Sequence, residues 1–213
     1  MRKKLILASS SPRRKELLTQ AGFSFQVLPA NADENITETA PAEMVKKLSE
    51  RKACASMEAW EQQGNLSDSV IVLGADTIVV QENGAESRIL QKPADHRQAA
   101  EMLRHLQGNT HCVYTGVTLL WLNEKKQLEQ ITFSEKTDVT FYPMTEAEIR
   151  EYVASGECDD KAGGYAVQGL AMKYIKKIDG DYHNVVGLPV AAIYQVLRKR
   201  SLELEAQNTP CGQ

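Results

Sequence analysis

The sequence predicts an α/β fold, a mixed central sheet flanked by helices. Three observations carry that prediction. Strand-like apolar runs alternate with stretches of helical period along the chain. Residues 69–75 form an apolar run of Val and Ile type, as a central parallel strand requires. Two long β-type runs, 110–122 and 128–142, are joined only by Asn123-Glu-Lys-Lys126, which reads as an antiparallel ribbon.

Leu5 to Ala8 are long enough for a buried strand. Ser9 to Ser11 turn the chain, and Pro12 takes a helix's first position, where its fixed φ suits and its missing N–H is no loss. Leu17, Leu18 and Ala21 give that helix an inward face, and Gly22 ends it. A second strand is expected over 23–28, then a loop over 29–40 carrying Asp33, Glu34 and Glu38. Met44, Val45, Leu48, Lys52, Ala55 and Ala59 approximate helical spacing over 41–62, and 64–68 break it. Thr77 to Val80 continue the central strand, 81–87 read as a Gly-containing loop, and 88–90 as a short β-type run. An amphipathic helix over 95–107 stops at Gly108. Thr145-Glu-Ala-Glu148 is a capping box for a helix reaching about Ser155. A polar, Gly-rich loop covers 157–169, and 173–178 with the Asp179-Gly180 turn suggest another hairpin. Pro189 opens a last helix on Val190, Ile193, Val196 and Leu197. Without repeats or a low-complexity linker, residues 1–200 read as one domain and 201–213 as a frayed tail.

Composition narrows the function. The 213 residues are 42% hydrophobic and 25% charged, an ordinary globular balance. A net charge of −3 argues against binding a nucleic-acid polymer. Locally, however, Arg2, Lys3, Lys4, Arg13, Arg14 and Lys15 face a single early acid, Glu16, which suits a small polyanion. No apolar run is long enough to span a membrane, and the one after Lys4 is too short for a signal peptide. Four scattered cysteines without CxxC spacing fit a reducing, cytoplasmic location.

The candidate chemistry begins where the first strand meets the first helix. A helix N-terminus carries about half a positive charge in unpaired N–H groups, and hydroxyls and two arginines crowd the same place. Together they make an anion site, phosphate being the natural anion. The GxxxxGK[ST] pattern is absent. Asp76, in Gly74-Ala-Asp-Thr77 on the most apolar strand, is costly to bury without a cation, a metal or hydrogen bonds. It is the leading candidate for a metal ligand or general base. Lys92-Pro93 and Asp159-Asp160-Lys161-Ala-Gly-Gly164 add cations and carboxylates, and with Glu34 they complete a set of oxygen ligands suited to Mg²⁺. His96, His105, His111 and His183 show no HxH or HExxH spacing, so no zinc chemistry is expected. No GxSxG elbow appears, which disfavours acyl transfer.

Leu7-Ala-Ser-Ser-Ser-Pro-Arg-Arg14, Gly74-Ala-Asp-Thr77, Lys92-Pro93, Thr115-Gly-Val117, Asp160-Lys-Ala-Gly-Gly-Tyr165, Gln168-Gly169 and Asn184-Val-Val-Gly-Leu-Pro189 occur in order. In this the chain resembles the Maf family of nucleoside triphosphate pyrophosphatases over residues 4–199. The resemblance implies a fold similar to inosine triphosphate pyrophosphatases, two lobes with a cleft, and a homodimer. It implies hydrolysis of a nucleoside triphosphate to the monophosphate and pyrophosphate with Mg²⁺ or Mn²⁺. The family's base falls on Asp76, though Glu34 could share the same water. Glu34 and Asp160 would join Asp76 in holding metal, and Lys52 and Lys92 would complete the catalytic set. Ser9, Ser11, Arg13, Arg14 and Lys161 would bind phosphates, and Thr77 and Gln168 the base.

Arg13 and Gln168-Gly169 match the branch acting on dTTP and UTP. A glutamine amide, both donor and acceptor, fits the mixed edge of a uracil or thymine ring. The family's 7-methyl-GTP branch instead has another residue at Arg13 and Ser-Glu-Gly near Gln168. Ala166-Val167 replaces the commoner Gly-Ile, and His183 occupies a variable aromatic position. The removal of excess or non-canonical pyrimidine nucleotides is the expected purpose. Another modified nucleotide, or a non-catalytic nucleotide-binding regulator of cell division, are the rival readings.

Overall fold

A computed structural model describes residues 2–65, 69–83 and 86–205. It contains one mixed sheet, in the order β2-β1-β3-β5-β6-β7, with β4 also pairing with β3. The strands are β1 (Lys4–Leu7), β2 (Phe25–Val27), β3 (Val70–Asn83), β4 (Glu86–Leu90), β5 (Thr110–Leu122), β6 (Leu128–Phe141) and β7 (Ile175–Asp179). The helices are α1 (Pro12–Gln20), α2 (Pro41–Gln62), α3 (His96–Leu106), α4 (Glu146–Ala154), α5 (Tyr182–Val186) and α6 (Val190–Lys199). β1 runs parallel to β2 and β3, and every other pairing is antiparallel. The apolar run at 69–75 is therefore central, with a parallel neighbour on one edge only.

Strand alternation divides the core. Val70, Val72, Ile78 and Val80 of β3 pack beneath α2 residues such as Val45, Ala53 and Met57. Ile71, Leu73, Ala75 and Val79 point the other way, into the larger core with α1, α3, α4 and α6. No helix among the described residues is long and apolar enough to cross a membrane.

Three local expectations change. The loop expected at 81–87 is mostly strand: β3 continues to Asn83 and β4 begins at Glu86, with Gln81 opposite Arg88. Gln81, the first residue of that expected loop, is buried, and its Nε2 donates to the His105 carbonyl at 2.9 Å. The hairpin expected around Asp179-Gly180 does not form. β7 pairs with the distant end of β6, and Asp181 caps α5 by accepting from the His183 N–H at 2.8 Å. Residues 203–205 are tied to the sheet, since Lys3 N–H donates to Glu203 O at 2.9 Å and Glu205 N–H to Lys3 O at 3.0 Å. The remainder of the expected tail, 206–213, lies outside the described residues.

The sheet leaves one gap that positions everything below. β5 covers one edge of β3 from Ile71 to Val80. On the other edge β1 stops opposite Leu73, and β4 ends with Leu90 opposite Val79. The stretch from Gly74 to Ile78 has no strand beside it there, and a cleft opens at that point.

Candidate active site

The cleft encloses about 870 Å³. Its walls include Ser9–Arg14, Glu34, Lys52, Asp76, Thr77, Lys92, Asp160, Lys161 and Gln168, so every residue expected to serve catalysis, substrate or metal borders one cavity.

At its centre Lys52 lies between two carboxylates. Its Nζ is 2.6 Å from Asp76 Oδ1 and 2.9 Å from Glu34 Oε1. Two glycines permit this. A Cβ on Gly74 would overlap the Ser49 carbonyl and stand 2.8 Å from Ala53 N, and a Cβ on Gly116 would overlap the Val45 carbonyl. These neighbouring positions, on β3 and β5, let α2 lie directly against the sheet and bring Lys52 over Asp76. Ser49 Oγ and Thr118 Oγ1, 2.9 Å apart, fasten the same contact. The hydrogen bond from Lys52 and then its charge, helped by Lys92, hold the Glu34 carboxyl below its ordinary pKa. The Asp76 side chain keeps 14% exposure, enough to meet a cleft water.

Asp76 and Glu34 converge closely enough to share one ammonium. That donor set fits Mg²⁺ or Mn²⁺, which binds through one or two carboxylates plus water and phosphate oxygens. Asp160 does not join them. It pairs with Arg13 at 3.5 Å and with Lys161, and these cations hold its pKa down, Lys161 foremost. Among the described residues the three carboxylates expected to share a metal do not form one ligand cluster. Two cations adjoining in space, one of them its own sequence neighbour, claim Asp160 first.

The two adjacent arginines part ways. Arg13 stands at the α1 N-terminus, where Ser11 makes no side-chain cap and no acid occupies the first turn. Arg14 is buried beneath it: Nε donates to Gly187 O at 2.8 Å, Nη1 to Ser9 Oγ at 3.1 Å and Nη2 to Thr77 Oγ1 at 3.0 Å. Burial lowers its pKa and Asp76 opposes that. The network continues through Thr77 Oγ1 and Thr115 Oγ1, 2.9 Å apart, and Thr115 Oγ1 donates to Asn184 O at 3.1 Å. Arg14 thus braces the serine loop, β3 and the Asn184–Gly187 segment against one another, beyond the phosphate role expected of it.

Gln168 sits in a segment fastened at both ends. Tyr152 Oη accepts from Ala166 N at 3.0 Å, and Glu157 Oε1 accepts from Leu170 N at 3.0 Å. A Cβ on Gly169 would overlap the Glu157 carboxylate. The sequence reading passed over Glu157 and Tyr152, and the only signal was the glycine itself. His111, which the sequence marks only by its lack of metal-ligand spacing, is buried with Nε2 2.8 Å from Tyr165 Oη on the cleft wall, its pKa pushed down to about 4 by burial.

An interrupted mixed sheet with a helix N-terminus and cations gathered around carboxylates defines a class, α/β proteins whose cleft suits a compact polyanion. Within it, the chain belongs to the Maf family, whose sequence model, described as Maf-like protein, matches residues 4–200. A protein of Agathobacter rectalis named dTTP/UTP pyrophosphatase is 47% identical over 206 residues, 94% of this chain and 98% of that one. One of the same name from Pelotomaculum thermopropionicum is 50% identical over 198 residues, 92% of this chain and 96% of its own. The solved structure of the Staphylococcus aureus Ham1 protein aligns with 93% of this chain and 100% of its own, with 12% identity and a TM-score of 0.41, too loose a likeness to argue from.

Proposed function

We propose that the protein hydrolyses nucleoside triphosphates, dTTP and UTP in particular, to the monophosphate and pyrophosphate. The observation that carries this reading is the Asp76–Lys52–Glu34 cluster in the same cleft as the α1 N-terminus and Arg13. The names of the similar proteins support the same substrates.

In this mechanism a water attacks the α-phosphorus, and Asp76 takes its proton as the new P–O bond forms. The bond from the α-phosphorus to the α–β bridging oxygen breaks, and pyrophosphate leaves with the bonding pair. Lys52 orients the Asp76 carboxylate and, with Lys92, Lys161 and Arg13, offsets charge on the phosphates, the electrostatic contribution expected to dominate. Ser9, Ser11 and the first-turn N–H groups of α1 bind the phosphate chain, with Arg14 holding Ser9 in place. Asp76 and Glu34 would hold Mg²⁺ or Mn²⁺, which supplies Lewis-acid stabilisation when bound. Thr77 and Gln168 meet the pyrimidine.

Residues 1–200 act as one unit in this reading, and the family resemblance supports a homodimer. The free cysteines Cys54, Cys112 and Cys158 support a reducing, cytoplasmic setting. The test is pyrophosphate release from dTTP and UTP with Mg²⁺. Asp76→Asn should reduce turnover by about 10²–10⁴-fold, the usual contribution of a positioned base. Near wild-type turnover in that variant would refute the base assignment. Triphosphate binding without hydrolysis in the unaltered protein would favour the regulatory reading instead.

A further inference from the structure

We propose that His96, Cys158 and Asp159 form a binding site for a thiophilic divalent cation, Zn²⁺ foremost, outside the catalytic cluster. It stands independently of the catalytic reading. No short ligand spacing announces it, because the donors come from separate elements. His96 is the first residue of α3, whereas Cys158 and Asp159 lie in the segment after α4.

The geometry is that of a cation site. One donor atom from each residue lies within 4.8 Å of the other two. His96 Nε2 is 3.2 Å from Asp159 Oδ1, and Cys158 Sγ is 3.4 Å from the same oxygen. Tetrahedral zinc, with bonds of about 2.0–2.3 Å to nitrogen, oxygen and sulfur, holds its ligand atoms roughly 3.3–3.6 Å apart. The two contacts to Asp159 Oδ1 are therefore already close to the spacing of ligand atoms around zinc. Sulfur, imidazole and carboxylate together select zinc over magnesium or calcium, which prefer oxygen. Cys158 is fully buried and forms the floor, while the His96 and Asp159 side chains are 57% and 60% exposed and leave an entry from solvent. Water completes the coordination.

Without metal, the Cys158 S–H donates to Asp159 Oδ1. The cation replaces that proton, which passes to water. Asp159 directly precedes Asp160 and Lys161, so an occupied site would fasten the start of α3 to a wall of the cleft.

The test uses the full chain with excess Mg²⁺ to saturate the cleft carboxylates. Zn²⁺ is titrated against a chromophoric chelator, and Co²⁺ is added in parallel for its thiolate charge-transfer absorption. One equivalent should bind with that absorption present. His96→Ala and Asp159→Asn, both at exposed positions, should weaken Zn²⁺ binding by roughly tenfold or more. Cys158→Ser should abolish the cobalt–thiolate absorption. Unchanged Zn²⁺ affinity in His96→Ala overturns the site, and so does absorption that persists in Cys158→Ser, since it would then come from Cys54, Cys112 or Cys211.

Discussion

Gly74→Ala offers the sharpest test of how the fold makes the site. Gly74 is two residues before Asp76 and on the same face of β3. An added Cβ would overlap Ser49 O and stand 2.8 Å from Ala53 N and 2.9 Å from Ala53 Cβ. Ser49 O and Ala53 N are helix backbone and cannot rotate aside. To recover ordinary separation, α2 must retreat by about 1 Å. Overpacking of this kind costs about 1–3 kcal/mol, and backbone neighbours put it at the upper end. For a chain of this length that lowers Tm by roughly 6–12 °C.

Lys52 moves with the helix, so its 2.6 Å contact with Asp76 opens. A displacement of about 1 Å at a reacting group costs on the order of 10²-fold in rate. Gly22→Ala is the control. Gly22 has φ +76° with nothing within 4 Å of the new Cβ, so only backbone strain of about 1–2 kcal/mol applies, and turnover should hold. Urea unfolding and pyrophosphate release on the three proteins decide it. If Gly74→Ala is no less stable than Gly22→Ala, the close seating of α2 is wrong. If it is destabilised but turns over normally, that seating does not govern catalysis.

Arg14→Lys should fold but lose two of its three braces, costing about 1–3 kcal/mol in urea unfolding and raising KM; a variant indistinguishable from wild type would contradict the bracing role. His111 ties stability to pH. Its folded pKa of about 4 lies below the ordinary 6.5, so the unfolded chain binds the extra proton, and stability falls as pH drops from 6.5 towards 4. The full loss is roughly 3 kcal/mol, and urea unfolding of His111→Gln should show a flatter profile through that window. Gln168→Glu should depress kcat/KM for dTTP and UTP by about tenfold or more, whereas equal activity would remove Gln168 from base recognition. Glu157→Ala should raise KM with little change in kcat, because it loosens the segment carrying Gln168 while leaving Asp76 untouched.

Much of this architecture is legible because its signals are local. Pro12 opens α1, Asp95 caps α3 through the Gln98 N–H, and Thr145 with Glu148 closes the capping box of α4. Each needs only neighbours within one turn. What escaped the sequence depends on distant partners. β7 is claimed by β6 some forty residues earlier instead of by its own turn, and Gln81 is drawn inward by the His105 carbonyl. Arg13 and Arg14 are chemically identical in sequence, and only the Gly187 carbonyl and Thr77 hydroxyl on other elements separate them. Gly74 carries a partial signal. Glycine inside a strand pattern marks close backbone approach, although it cannot say which helix approaches.

The location of the cleft follows from an incompleteness of the sheet. A carboxylate in the middle of so apolar a strand would be severely penalised if both edges were covered. β3 tolerates Asp76 because β1 ends opposite Leu73, β4 reaches no further along β3 than Val79, and Gly74 admits α2 so that Lys52 meets the charge. The end of β1 also leads through Ser9–Ser11 into the N-terminus of α1, so the strand that leaves the edge of β3 open delivers the anion site to the same opening. The acid and the phosphate-binding turn are thus two consequences of one short strand. Extending β1 along β3 would cover the open edge and displace the serine turn together, which is why neither feature can be moved without the other.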